Sequence, residues 1–230
     1  TSNNNDDDIK KANNGDNEAN FNLGLEYFLK NDYDKAIFYL LKAEELGNVD
    51  ALVMLGDIYV KRSRFAKIDE DSEKYFNIAV EYYERASNKN NDIAQLKLGN
   101  IYHVDENYKD AFALYLKSAE SGNASAQIAL GNMYKNGEYV EKNINKAVEY
   151  YLKASEKNKF AYVLLGDLYS VINTEEATDE AIKNYLKVTD TFDCNKQLGD
   201  MYMKKSKIKE KKYHDEAMKF YKISAEDGNS

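Results

Sequence analysis

The sequence predicts an all-α fold, a right-handed α-α superhelix (solenoid) of about six helix-turn-helix repeats. Three observations carry this expectation. A cassette of small residue, three variable residues, Leu-Gly, two variable residues and Tyr occurs six times: ANFNLGLEY, ALVMLGDIY, AQLKLGNIY, AQIALGNMY, AYVLLGDLY and CNKQLGDMY. Its glycines, Gly24, Gly56, Gly99, Gly131, Gly166 and Gly199, recur every 32 to 43 residues, the mark of stacked repeats that bury their faces against one another. No proline interrupts any of the 230 residues, so every helical segment can run unbroken.

Within a cassette the small residue, Leu, Gly and Tyr fall at spacings of four, one and three, which places them on one face of a first helix. A helix-interior glycine costs about 1 kcal/mol relative to alanine. Keeping it six times implies that another backbone approaches too closely for a side chain. A second helix follows, anchored by Ala36, Ala79, Ala111, Ala147, Ala181 and Ala217. Three or four residues after each alanine comes an aromatic: Tyr39, Tyr82, Tyr115, Tyr150, Tyr185 and Tyr221. Seven residues after it stands Ala43, Ala86, Ser118, Ala154, Val188 or Ser224, a stripe small enough to let helices sit close. Twelve of the 20 tyrosines occupy the two aromatic positions, so the tyrosine excess reads as core. AEELGN, AESGN and AEDGN close second helices with a glycine suited to a left-handed cap. Connections inside repeats vary most, through KNGEYVEKNINK in the fourth repeat and a larger insertion at residues 61–74 of the second.

The stretch AQIALGNMYKNGEYVEKNINKAVEYYLKASE closely resembles the Sel-1-like repeat, a relative of the tetratricopeptide repeat. The other copies resemble it more loosely. Repeats are expected at about 17–48, 49–91, 92–123, 124–158, 159–191 and 192–229, together one solenoid domain over 17–229. Residues 12–19, ANNGDNEA, align with AESGNASA at 119–126. Residues 1–16 therefore read as the tail of a preceding repeat, partly disordered, and the chain as a fragment of a longer array.

Composition narrows the function. A net charge of −8 gives no general attraction to nucleic acid or anionic lipid, and no apolar run is long enough to span a membrane. Cys194, the single cysteine, takes the small position of its cassette and reads as packing. Its lack of a partner, with no evident leader peptide, leads to the expectation of a reducing, cytoplasmic compartment. Phosphate loops, GxSxG, HExxH and CxxC are absent, and His103 and His214 belong to different repeats. No enzyme activity, cofactor or metal is expected. The resemblance implies an adaptor that holds several partners, as similar proteins do in quality control, synthase activation, signalling and host–pathogen contact.

The position after Leu-Gly holds Leu25, Asp57, Asn100, Asn132, Asp167 and Asp200. Asn and Asp are poor residues inside helices, so their recurrence calls for a compensating contact. By resemblance to tetratricopeptide arrays this position faces a concave groove, where an Asn ladder can pair with a peptide backbone as donor and acceptor. An intramolecular bond between adjacent repeats, or plain solvation, accounts for the same pattern. With the positions one turn away, the candidate partner-binding set is Asp57, Val60, Leu96, Asn100, His103, Ile128, Asn132, Lys135, Asp167 and Asp200. Leu96 and Ile128 stand where a carboxylate clamp would need lysine, so a neutral, apolar or basic protein segment is the expected partner. The alternatives are a nucleic-acid-binding array using the lysine-rich KKSKIKEKK at 204–212, and a structural or regulatory arm of a larger protein.

Overall fold

The computed structural model describes residues 2–207 and 211–226. Gly228 of AEDGN and the centre of the lysine-rich stretch, 208–210, lie outside the described residues. Among the described residues the chain forms thirteen helices and no strand. They group into two compact units, Thr1–Ser121 and Gly122–Ser230.

In the first unit, α1 (Ser2–Asn13) packs on α2 (Asn17–Leu29). Three antiparallel pairs follow: α2 with α3 (Tyr33–Glu45), α4 (Val49–Phe65) with α5 (Asp69–Asn88), and α6 (Asp92–Val104) with α7 (Tyr108–Glu120). The second unit pairs α8 (Ala124–Asn136) with α9 (Ile144–Ser155), α10 (Phe160–Ser170) with α11 (Glu175–Leu186), and α12 (Asn195–Ser206) with α13 (Lys211–Glu226). Each expected repeat range encloses one such pair. Within a unit the second helix of one pair packs on the first helix of the next.

At the start of the chain Ser2–Asn13 is helical, and Ala12 is buried against Ala19 and Leu23 with Ile9 beside them. The joint after it is the one that recurs between repeats. Gly15, Gly47 and Gly122 adopt φ near +80 to +90°, and the next residue, Asp16, Asn48 or Asn123, caps the following helix. Asn90 takes the same left-handed turn where glycine is missing, at φ 61°, a conformation asparagine tolerates better than most residues. These caps accept from the backbone N–H of Ala19, Ala51 and Ala126, and Asn91 does so from Ala94. Each such bond contributes about 1 kcal/mol. The insertion in the second repeat is absorbed mostly as helix: α4 and α5 run to 17 and 20 residues around a short corner at 66–68.

The stripe of small residues is buried as the spacing implies. The six alanines from Ala36 to Ala217 are fully buried, as are Ala43, Ala86, Ser118, Ala154 and Val188 seven residues on. The glycine has a different cause from the one expected. A tyrosine ring of the paired second helix, and not a backbone, covers it: Tyr83 on Gly56, Tyr115 on Gly99, Tyr151 on Gly131, Tyr185 on Gly166 and Tyr221 on Gly199. A Cβ on Gly131 would lie 2.5 Å from Tyr151 Cε1. In the first repeat Leu40 takes the place of the ring over Gly24.

The single aromatic position read from the sequence resolves into two. Residues four after the anchoring alanine cover glycine. Residues three after it stack on the cassette tyrosine, as in Tyr27–Tyr39, Tyr59–Tyr82, Tyr134–Tyr150 and Tyr202–Phe220, with ring centroids 5.5–5.7 Å apart and planes within 14°. Doublets such as Tyr82-Tyr83 and Tyr150-Tyr151 supply both.

Helix propensity alone would make Gly131→Ala stabilising by about 1 kcal/mol. Displacing the Tyr151 ring costs more, so the variant is expected to lose about 2 kcal/mol net, read as a lower urea midpoint at unchanged slope. A gain in stability would show that the ring does not constrain this glycine.

Candidate functional site

The residues after Leu-Gly owe their identity first to the tyrosine that covers the glycine. A ring laid across Gly56 carries its hydroxyl past the helix to the next residue, where a partly buried O–H needs an acceptor. Tyr83 donates to Asp57 Oδ1 at 2.6 Å, Tyr115 to Asn100 Oδ1 at 2.8 Å, and Tyr151 to Asn132 Oδ1 at 2.7 Å. Tyr185 donates to Asp167 Oδ1 and Tyr221 to Asp200 Oδ1, both at 2.7 Å. The first repeat has Leu40 instead of tyrosine and Leu25 instead of Asp or Asn, so donor and acceptor are lost together.

These bonds change the expected role of the ladder. Each joins the two helices of one repeat, not adjacent repeats, and each occupies one lone pair of the Oδ1 that a peptide N–H would have used. Asn100 and Asn132 thus each hold one internal bond, which leaves the second lone pair of Oδ1 and the Nδ2 donors outside it. In sequence the signal was present: Leu25 and Leu40 depart from the pattern in the same repeat.

The other candidates separate into two cavities, one in each unit, and a remainder. In the first unit Asp57 and Val60 of α4 and Asn100 of α6 line a cavity of about 370 Å³ with Phe28, Lys61, Arg64, Phe76 and Lys97. Lys97 Nζ pairs with Asp57 Oδ1 at 2.8 Å, and Lys61 Nζ lies 4.4 Å from the Phe28 ring centre. Arg64 has no acidic partner among the described residues. In the second unit Lys135 and Asp167 line a cavity of about 340 Å³ with Lys142, Ile144, Leu164, Leu168, Val171 and Ile172. His103 packs against the rings of Tyr108 and Tyr115. Ile128 belongs to the core around Ala147, Tyr151 and Leu165, and Leu96 is half-buried on α6. Asp200 serves Tyr221. Sequence reasoning missed Lys61, Arg64, Lys97 and Lys142, which lie outside the three helix positions it followed.

Among the described residues no group of three or more His, Cys, Asp or Glu side chains is placed to hold a metal, and no helix is long and apolar enough to cross a membrane. Cys194 is buried, and burial with the charges of Asp167 and Asp193 pushes its thiol up to about 11, the opposite of an activated nucleophile. Of the lysine-rich stretch, Lys204 donates to the carbonyls of Ser170 and Ile172, and Lys205 pairs with Asp179 and lies over Tyr213. Those lysines join the last two repeats to each other.

Burial, with the Asp167 charge, pushes the Tyr151 hydroxyl up to about 12, and burial with Asp200 does the same for Tyr221. Burial and the neighbouring carboxylate raise Tyr83 and Tyr185 as well. An unfolded tyrosine ionises near 10. The stabilisation is thus complete below pH 10 and is lost as pH rises towards 12. Tyr151→Phe is expected to cost about 1 kcal/mol at neutral pH and to make the alkaline fall in stability shallower, both measured by urea unfolding. An unchanged alkaline slope would show that burial does not raise the ionisation of this hydroxyl.

Comparison with known proteins agrees with this geometry. The model of the Sel1 repeat matches residues 17–48, 49–91, 93–123, 124–159 and 196–229. Between the last two matches, α10 and α11 still place Tyr185 over Gly166. The chain is similar to a sel1-like repeat-containing protein of Acanthamoeba polyphaga mimivirus, 35% identical over 91 residues, which is 40% of this chain and 15% of that relative. It thus spans only a small part of that relative's length. Its structure is similar to a protective antigen of uropathogenic Escherichia coli displaying an SLR fold, with TM-score 0.73 and 25% identity over 94% of this chain and 47% of the other. It shares the fold of a Sel1 repeat protein from Oxalobacter formigenes, with TM-score 0.70 and 22% identity over 91% and 87% of the two chains. Sel1 repeat proteins are generally non-catalytic scaffolds for protein interaction. With five matched repeats, and the internal glycine–tyrosine contact in every hairpin but the first, the chain belongs to the Sel1 repeat family.

Proposed function

We propose that the chain is a non-enzymatic scaffold that holds segments of partner proteins on its first helices, at the cavity of each unit. One observation carries this reading: the same helix register opens a cavity in each unit. Asp57 and Asn100 directly follow Leu-Gly in the first unit, as Asp167 does in the second. Val60 and Lys135 each stand one turn further on. Polar groups beside apolar side chains in a preformed hollow are the usual make-up of a recognition site. The tyrosine bonds support the reading by fixing the rotamers of the Asp and Asn side chains, so less entropy is lost when a partner meets them.

The lysine-rich stretch favours this reading over nucleic-acid binding. Lys204 and Lys205 are spent on intramolecular carbonyl and carboxylate contacts, and Lys212 lies over the Tyr213 ring.

A photo-crosslinking residue placed at Val60, compared with one at the exposed Leu152 of α9, tests the proposal in the source cell. The expected result is a crosslinked protein partner from Val60 that the Leu152 position does not capture. Equal capture from both, or capture from Leu152 alone, would place the interaction elsewhere.

A further inference from the structure

The cavity of the second unit has a charge and a shape that say more about its occupant. Its floor is apolar, formed by Ile144 of α9 and by Leu164 and Leu168 of α10, with Val171 and Ile172 at the rim. Val171 is 82% exposed, so the hollow is open to a side chain arriving from outside. At about 340 Å³ it lies near the lower end of ligand cavities, roughly 300–1,000 Å³. That suits one or two bulky side chains.

The linker of the fourth repeat contributes Lys142 to the lining. Gly137 ends α8 in a left-handed turn at φ 80°, and the chain doubles back. Glu138 N–H donates to the Met133 carbonyl at 3.0 Å, and Asn143 N–H to the Tyr134 carbonyl at 2.8 Å. The backbone and Cβ of Lys142 then sit over Gly137, where an added Cβ would lie 3.3 Å from Lys142 Cβ. Lys142 is thereby brought to the mouth of the cavity beside Lys135. On the α10 side Lys204 binds the carbonyls of Ser170 and Ile172, which neutralises the negative helix end and fixes the rim.

Lys135 and Lys142 have no acidic partner among the described residues. The one anion of the lining, Asp167, already accepts from Tyr185. Two cations against one anion leave this hollow positive on a chain whose net charge is −8. A basic segment would meet two unpaired ammonium groups on approach. An acidic one would pair with them while its apolar neighbour filled the floor.

We infer that this cavity takes an acidic-apolar protein segment, a bulky aliphatic or aromatic residue with Asp or Glu one to three positions away. The inference rests on the scaffold reading above and replaces the neutral, apolar or basic preference expected from helix positions alone with an acidic-apolar one. Lys142 comes from the linker, which those positions do not include.

Panning the whole chain against displayed random twelve-residue peptides tests it, alongside K135E/K142E and V171D. Both variants change exposed or unpaired side chains, and thermal melts check that they fold. The expected outcome is enrichment of acidic-apolar peptides. A labelled representative should bind about tenfold more weakly to K135E/K142E and also lose affinity for V171D. The charge-reversed protein should select Lys- or Arg-containing peptides instead. Enriched peptides without acidic residues, or with affinities that neither variant changes, would overturn the inference and leave the scaffold reading standing. No enriched peptide at all would overturn both.

Discussion

A tyrosine ring covering a glycine is the contact on which the other features of every repeat but the first depend. The ring needs a first helix with no side chain at that point, which accounts for a glycine that helix propensity opposes. Its covering residue must reach from the second helix, which requires the two helices to sit close along the alanine stripe. Its hydroxyl emerges beside the residue after glycine and requires an acceptor there. Gly131, Tyr151, Ala147 and Asn132 are thus one arrangement seen from four positions. The first repeat supports this dependence by exception, because replacing the ring with Leu40 removes the need for an acceptor, and Leu25 stands in its place.

That arrangement connects stability to recognition. Asp57, Asn100 and Asp167 are held by tyrosine hydroxyls and face cavities at the same time. A side chain fixed by one internal bond presents its remaining polar atom in a defined direction. The polar ladder is therefore structural in origin, and its exposed side becomes usable surface. What varies around it is the set of cations: Lys61, Arg64 and Lys97 in one unit, Lys135 and Lys142 in the other. An acidic chain that gathers cations in its hollows separates solubility, set by net charge, from recognition, set by local charge.

Linker length is the second variable. In the second repeat the extra residues lengthen α4 and α5. In the fourth they fold back over Gly137 and contribute Lys142 to a cavity lining. The consequence of an insertion depends on whether its residues sustain helix or end it, as the left-handed Gly137 does.

The sequence by itself determined the repeat, the pairing of helices, the buried small stripe and the membership of the tyrosines in the core. All of these depend on periodicity, which a chain displays openly because 3.6 residues per turn bring fixed spacings to one face. It also marked the residues after Leu-Gly as unusual. Only the tertiary structure decided why. Whether an aspartate meets a ligand, a neighbouring repeat or a tyrosine hydroxyl depends on which second-helix residue crosses the glycine, and Tyr82 and Tyr83 cannot be told apart by spacing alone. Tertiary structure also decided which charges share a hollow. Lys142 reaches Lys135 and Asp167 through a folded linker, and no helical period connects those three residues.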